Sequence, residues 1–258
     1  MDIEAKALSE LRNFRAKMGL GVSKEQAKYI WGKSFTRNDG VNFDEEVVNV
    51  EVGRKVEIAR YDIKYLKALG LLRFVGVSGS VAAGFAKEED DIDVFVVVKN
   101  YTSWIYRGII TLKNLFHHRI RRIHNGNVVK DKFCVNLIRE ERDLIFDDDI
   151  FNFHELMYLI PIYNEKYLNF IYSQNDWLRS KYGVKGELLM SREFVSKKRD
   201  WFLRVVNFKF FVLQILFMII SLHRPEIKRL WSNYKRGRIE FFDYANRENR
   251  IKNFLDCV

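Results

Sequence analysis

Apolar residues recur at helical spacing along the first third of the chain, over residues 3–18, again from Ser23, and over residues 50–69. Ser23 followed three positions on by Gln26 is a capping-box pattern and predicts the second start, while Gly70 predicts the third end. From Leu72 the period changes. "LLRFVGVS" and "IDVFVVV" are short, rich in β-branched and aromatic residues, and bounded by glycine or acids, which predicts two neighbouring core strands. A helix over residues 103–120 follows, with Trp104, Leu112 and Leu115 among its apolar positions, and then "GNVV" and "KFCVNLI" predict a further strand pair. Beyond Asp147 the pattern predicts helices only, over residues 149–159, 164–182, 191–222 and 225–254, punctuated by Pro161, by the glycines at 183 and 186, and by Pro225. The expected fold class is therefore α+β: a mixed sheet with flanking helices in residues 1–146, then a helical domain in residues 147–258.

Composition refines this picture in three ways. With 258 residues, 48% of them hydrophobic, the chain has ample material for a buried core. The formal charge is +10, and residues 197–252 carry 14 Lys or Arg against 5 Asp or Glu, so the excess belongs chiefly to the helical half. Such a face favours polyanions, RNA or nucleotides among them, although a solvated basic surface has the same composition. The two cysteines, Cys134 and Cys257, exclude a disulfide framework or a cysteine-rich zinc site and fit a reducing, cytoplasmic setting. Charges in "MDIEAKALSELRNF" argue against an export signal. The most apolar window, "FFVLQILFMIISL", is thirteen residues long; it predicts a buried helix and no membrane role.

The candidate chemistry lies in "VSGSVAAGFAKEEDDIDVFVVV". Strand side chains alternate, so Asp91 and Asp93 point the same way while Ile92 and Val94 point the other. Paired carboxylates raise each other's pKa unless a cation lies between them, and an oxygen pair of this kind suits Mg²⁺ or Mn²⁺ bridging a phosphate. Asp90 reads as a turn residue. Eleven residues before Asp91 stands Ser80, preceded by Gly79, directly after the first strand. A glycine there lets backbone approach a ligand, and the helix start that follows offers N–H groups to phosphate. Phosphate cradle, short helix, turn and metal-binding strand, in that order, suit a nucleoside triphosphate such as ATP.

"GSVAAGFAKEEDDIDVFV" resembles the signature of the DNA polymerase β superfamily of nucleotidyltransferases, with a gap like that of the minimal nucleotidyltransferases of bacterial toxin–antitoxin pairs and similar to that of kanamycin nucleotidyltransferase. "FVGVSGSVA", "SWIYRG", "FCVNLI" and "NDWL" resemble blocks in bacterial and archaeal members of the same superfamily. The resemblance implies a polymerase β-like mixed sheet, triphosphate held by Gly79 and Ser80, and metal held by Asp91 and Asp93. It also implies a third carboxylate on a later strand. Here that strand, residues 133–138, offers Asn136, facing with Cys134 and Ile138; Glu140, Glu141 and Asp131 stand at its ends. An amide can coordinate a metal but cannot act as a base.

Other residues admit two readings each. Arg107, one turn from Trp104, could contact phosphate or brace Asp93. His117, His118, Arg119, Arg121, Arg122 and His124 could grip phosphate or simply form a solvated helix end that suits the dipole. Asp147 to Asp149 reads as a helix cap, and Glu155 as surface or as a residue aimed at the site. Trp201, Phe208, Phe210, Phe211 and Trp231 could stack on bases or fill a core. The expectation is a metal-dependent transfer of a nucleoside monophosphate from an NTP to an acceptor hydroxyl, with an RNA 3′ end first among acceptors. The other reading is a non-catalytic, antitoxin-like or regulatory binder that engages a protein, nucleotide or RNA partner.

Overall fold

The structure is a computed structural model and describes residues 2–33, 35, 49–121, 129–189, 201–220 and 227–240, with the side chain of Asn136 outside that description. Three helices come first: α1 (Ile3–Ala16), α2 (Lys24–Trp31) and α3 (Val50–Leu66). Ser23 Oγ accepts the Gln26 N–H at 3.1 Å and so starts α2 as the capping pattern predicts. Asn49 caps α3 and also donates from Nδ2 to the carbonyl of Ala86 at 3.0 Å, tying that helix to the loop ahead of the acids. Helix α3 stops at Leu66, short of the expected end, because Lys67 is extended and Leu69 and Gly70 both take positive φ.

The sheet is built from β1 (Leu72–Val77), β2 (Ile92–Val98), β3 (Phe133–Glu140), β4 (Ile160–Tyr163) and β5 (Arg238–Glu240), in the order β4-β1-β2-β3-β5. Only β2 and β3 run parallel; the other neighbours are antiparallel. The expectation that strands stop at Asp147 is thus corrected, since both edge strands come from beyond it. They were missed because four and three residues are too few to display a period of two.

Between β1 and β2 lies the short α4 (Gly79–Ala83), and between β2 and β3 lies α5 (Ser103–His117). Helix α5 ends before the expected Ile120 because His118 is left-handed, and Ile120 then bridges Phe133 in parallel. Residues 126–128 of the expected "GNVV" strand lie outside the described residues. After β3 come α6 (Ile150–Tyr158), α7 (Lys166–Ser173), α8 (Trp177–Ser180), α9 (Gly186–Leu189), α10 (Trp201–Ile220) and α11 (Ile227–Arg236).

Two apolar layers sandwich the sheet. Phe74, Phe95 and Val97 pack with α1, α2, α6 and α7 on one face, while Val75, Val77, Val94 and Val96 pack with α3 and α5 on the other. Helix α10 joins the second layer by one stripe only: Phe210 lies against Gly108, where an added Cβ would stand 2.6 Å from its ring, and Asn207 Oδ1 accepts the N–H groups of Trp104 and Ile105. The expected buried helix is therefore corrected. Only Asn207 and Phe211 of α10 are buried, and Leu213, Phe217 and Ile220 are exposed. The segment is predominantly apolar, but among the described residues α5 and the aromatic rings of α11 cover only part of it. It also begins nine residues before the window seen in sequence, and at 20 residues with mean hydropathy 2.0 it is long and apolar enough to cross a membrane.

Candidate active site

Strand β1 delivers the chain to a turn that only glycine can make. Gly79 has φ +64°, and a Cβ there would stand 2.4 Å from Asp93 Oδ2. Backbone at the start of α4 is thereby pressed against the Asp93 carboxylate, and the Ser78 N–H donates to the Asp93 carbonyl at 2.9 Å. Ser80 Oγ donates to Asp90 Oδ2 at 3.3 Å, and the same oxygen accepts the Lys87 N–H at 2.9 Å. Asp90 closes the turn, as its reading predicts.

The loop carrying Asp90 and Asp91 is fixed from behind. Lys55, fully buried on α3, donates to the carbonyls of Glu88 and Asp90 and to Asp131 Oδ1, at 3.1, 2.7 and 2.9 Å. Arg54 grips the same Asp131 carboxylate with two bonds of 2.7 and 2.8 Å. Their charges hold the Asp131 carboxyl below the usual carboxylate range against the opposing effect of its burial. Asp131 therefore braces the loop instead of reaching into the site.

Asp91 and Asp93 do come together, and the third member of the cluster is Cys134. One carboxylate oxygen from each acid and the Cys134 Sγ all lie within 4.8 Å of one another. Cys134 stands opposite Asp93 in the parallel β2–β3 register. After that pair the register shifts, so that Phe95 faces Leu137. One extra residue is accommodated in β3, and alternation is reset: Leu137 packs on the first core layer while Val135 and Ile138 both lie in the second. The expectation that Cys134, Asn136 and Ile138 share a face is corrected by this bulge. The side chain of Asn136 lies outside the described residues.

Burial raises the Asp93 carboxyl to about 6, helped by the charges of Asp91 and Glu155 and opposed by the Cys134 thiol and by Arg121. Burial, with both carboxylates adding to it, pushes the Cys134 thiol far above its usual range. Asp91 is held by Arg121, whose Nη1 donates to its Oδ2 at 2.7 Å. The Cys134 sulfur is near enough to act on the Arg121 guanidinium as well. Arg121 gets there because the Ile120–Phe133 bridge carries the segment after α5 alongside β3.

Arg121 thus braces Asp91, whereas the bracing weighed for Arg107, as one of its two readings, concerned Asp93. Arg107 is half-buried on α5, on the sheet face opposite Phe95 and Val97, and burial lowers its guanidinium to about 10. Of the other cations weighed beside it, Arg119 pairs with buried Asp62 at 3.0 Å, and Arg122 and His124 lie outside the described residues. Glu140 is buried against the N–H and Oγ of Ser103 and the guanidinium of Arg142; Glu141 pairs with Arg73 at 3.0 Å. Neither joins the acid pair. Asp149 caps α6 through the Asn152 N–H at 2.7 Å, as expected, which leaves Glu155 as the further carboxylate whose charge reaches Asp93. Sequence reasoning gave Cys134 no ligand role and read Arg121 only as a phosphate grip or part of a solvated helix end. The signal for Cys134 was present: it is the second residue of its strand, as Asp93 is of the parallel strand beside it.

The donor set fits a divalent cation. Two carboxylates and a thiol converge, one carboxyl is pushed toward neutrality by its burial and by the acid beside it, and the glycine turn lets backbone lie against that carboxyl.

Residues 63–148, which include β1, α4, β2, α5 and β3, match the family model of the nucleotidyltransferase domain. No curated protein and no solved structure matches the chain.

Proposed function

From the nucleotidyltransferase domain at residues 63–148, we propose that this chain is a metal-dependent enzyme that moves a nucleoside monophosphate from an NTP to an acceptor hydroxyl, with an RNA 3′ end as acceptor. The observation that carries the reading is the packing of Asp93 against the Gly79 turn, which brings the acid pair to the backbone at the start of α4. Asp91 and Asp93 would hold Mg²⁺ or Mn²⁺. A bound cation would neutralise triphosphate charge and ease ionisation of the attacking hydroxyl. Gly79 admits the phosphates to close range and Ser80 offers its hydroxyl to them. The acceptor oxygen bonds to the α-phosphorus, the bond from that phosphorus to the bridging oxygen breaks, and pyrophosphate leaves. Glu155, partly exposed on α6 and near enough for its charge to act on Asp93, would take the hydroxyl proton.

RNA is favoured as acceptor by the surface of α10 and α11, where exposed Arg204, Lys209, Lys228, Lys235 and Arg236 alternate with exposed Trp201, Phe202, Phe208 and Trp231. Charges that track a backbone and rings that stack on bases are what single-stranded RNA requires. A second reading, a non-catalytic nucleotidyltransferase-fold binder, is favoured by Arg121, which already neutralises Asp91.

Incubation with each radiolabelled NTP, Mg²⁺ or Mn²⁺ and total RNA separates the two. Label incorporated by the native chain and lost in the Asp91→Ala, Asp93→Ala double variant supports the enzyme. Absence of both incorporation and pyrophosphate release with every nucleotide and metal would overturn it.

A further inference from the structure

Nucleotidyl transfer as proposed uses the two acids but leaves the thiol between them without a task. Cys134 is buried, yet its environment is not that of an apolar filler: it stands opposite Asp93 in the strand register, and the carboxylates of Asp91 and Asp93 adjoin its sulfur. The ligand atoms of the three residues lie within 4.8 Å of one another. Sulfur and oxygen bind a cation at about 2.0–2.3 Å, so ligand atoms around one ion stand up to about 4.5 Å apart. The three groups can close on a single ion by side-chain adjustment alone. The β3 bulge follows immediately, so Cys134 keeps its place opposite Asp93 while the rest of the strand pairs in a shifted register.

Building on the nucleotidyl-transfer reading, we infer that Cys134 is the third protein ligand of the cation held by Asp91 and Asp93, and that its sulfur turns the site from Mg²⁺ toward Mn²⁺ or Zn²⁺. The reason is ligand chemistry. Mg²⁺ is hard, insists on oxygen and sheds water reluctantly, whereas a thiolate suits softer cations. As the metal–sulfur bond forms, the S–H bond breaks and its proton passes to solvent; no electron is transferred. Arg121, with 43% of its side chain exposed, has room to turn away from Asp91 as the cation enters.

Cd²⁺ is the probe, because a cadmium–thiolate bond has an ultraviolet charge-transfer band that carboxylates do not produce. The full chain carries Cys257→Ser so that Cys134 is the one thiol, and label transfer from NTP with Mg²⁺ is followed in parallel. One equivalent of Cd²⁺ should saturate the band, Cys134→Ser should abolish it, and Cd²⁺ affinity should fall at least about tenfold while Mg²⁺ affinity holds. Cys134→Ala gives the same readout if the serine variant does not fold. A native chain without the band, or a band that survives both substitutions, overturns the inference. Metal-dependent transfer without the band removes the sulfur ligand alone; a band abolished by Cys134→Ser in a chain that transfers nothing supports the ligand and counts against the transferase.

Discussion

Asp93→Asn should stabilise the metal-free chain at neutral pH while destroying its cation site. The Asp93 carboxyl moves from an ordinary 3.8 to about 6 in the folded chain, first because it is buried and second because Asp91 is beside it. At about 1.4 kcal/mol per pH unit, that difference amounts to about 3 kcal/mol. The sign follows from which state binds the proton. Below about pH 3.8 both states are protonated and Asp93 is neutral to stability. Between about 3.8 and 6 the folded chain holds a proton that the unfolded chain has released, so stability falls as pH rises; above 6 the penalty is complete and constant.

An amide of the same shape carries no such penalty, though it weakens the contact with the Cys134 thiol, worth about 1 kcal/mol. The variant should therefore be more stable than the native chain by about 2 kcal/mol near pH 7.5, with the gap closing toward pH 4. Urea unfolding followed by tryptophan fluorescence, in chelator, measures it at each pH. Adding Mn²⁺ should stabilise the native chain and leave the variant unchanged, because only the native site gains from ligand binding. A gap that is absent near pH 7.5, or that does not vary with pH, would refute the account of Asp93 as a buried carboxylate short of a cation.

Two further perturbations test how the site is held. Gly79→Ala places a methyl 2.4 Å from Asp93 Oδ2 and forces a positive φ on an L-residue; a stability loss of about 1–3 kcal/mol in urea unfolding, with metal binding lost in calorimetry, is expected. Lys55→Met removes a fully buried ammonium from Asp131 and from two carbonyls of the acidic loop, which should lower stability by about 3–5 kcal/mol in the same unfolding assay.

Much of the site is legible in sequence because its determinants are local. A strand, a Gly-Ser turn, a short helix and an Asp-x-Asp strand occupy consecutive residues, and each step has its own composition; in the fold Gly79 meets Asp93, Asp91 stands near Asp93, and Ser80 bonds Asp90. What escaped depends on partners far along the chain. Strands β4 and β5 exist because β1 and β3 offer them edges, and "IPIY" or "RIE" carries no period of its own. Arg121 looks like one cation among several at a helix end until the bridge of Ile120 to Phe133 turns it toward Asp91. The exposure of α10 is of the same kind, since apolar composition specifies that a helix has something to bury but not how many neighbours it finds.

The separation of Cys134 from Ile138 follows from a single inserted residue. Period-two counting puts the two on one face, and the register shift between the Asp93–Cys134 and Phe95–Leu137 pairs breaks that count before Ile138. A strand that pairs regularly on both sides of its bulge gives no compositional warning of it. Counting leads to an amide, and the register adds a thiol whose sulfur lies within 4.8 Å of an oxygen of each acid. Before any cation arrives, Arg121 compensates Asp91, and below about pH 6 Asp93 holds a proton, so in that range the site is close to electrically balanced. There an entering cation must displace the proton and the guanidinium together; above it, the guanidinium alone. Affinity for the cation should therefore rise with pH through about 6, in step with the ionisation that the fold itself resists.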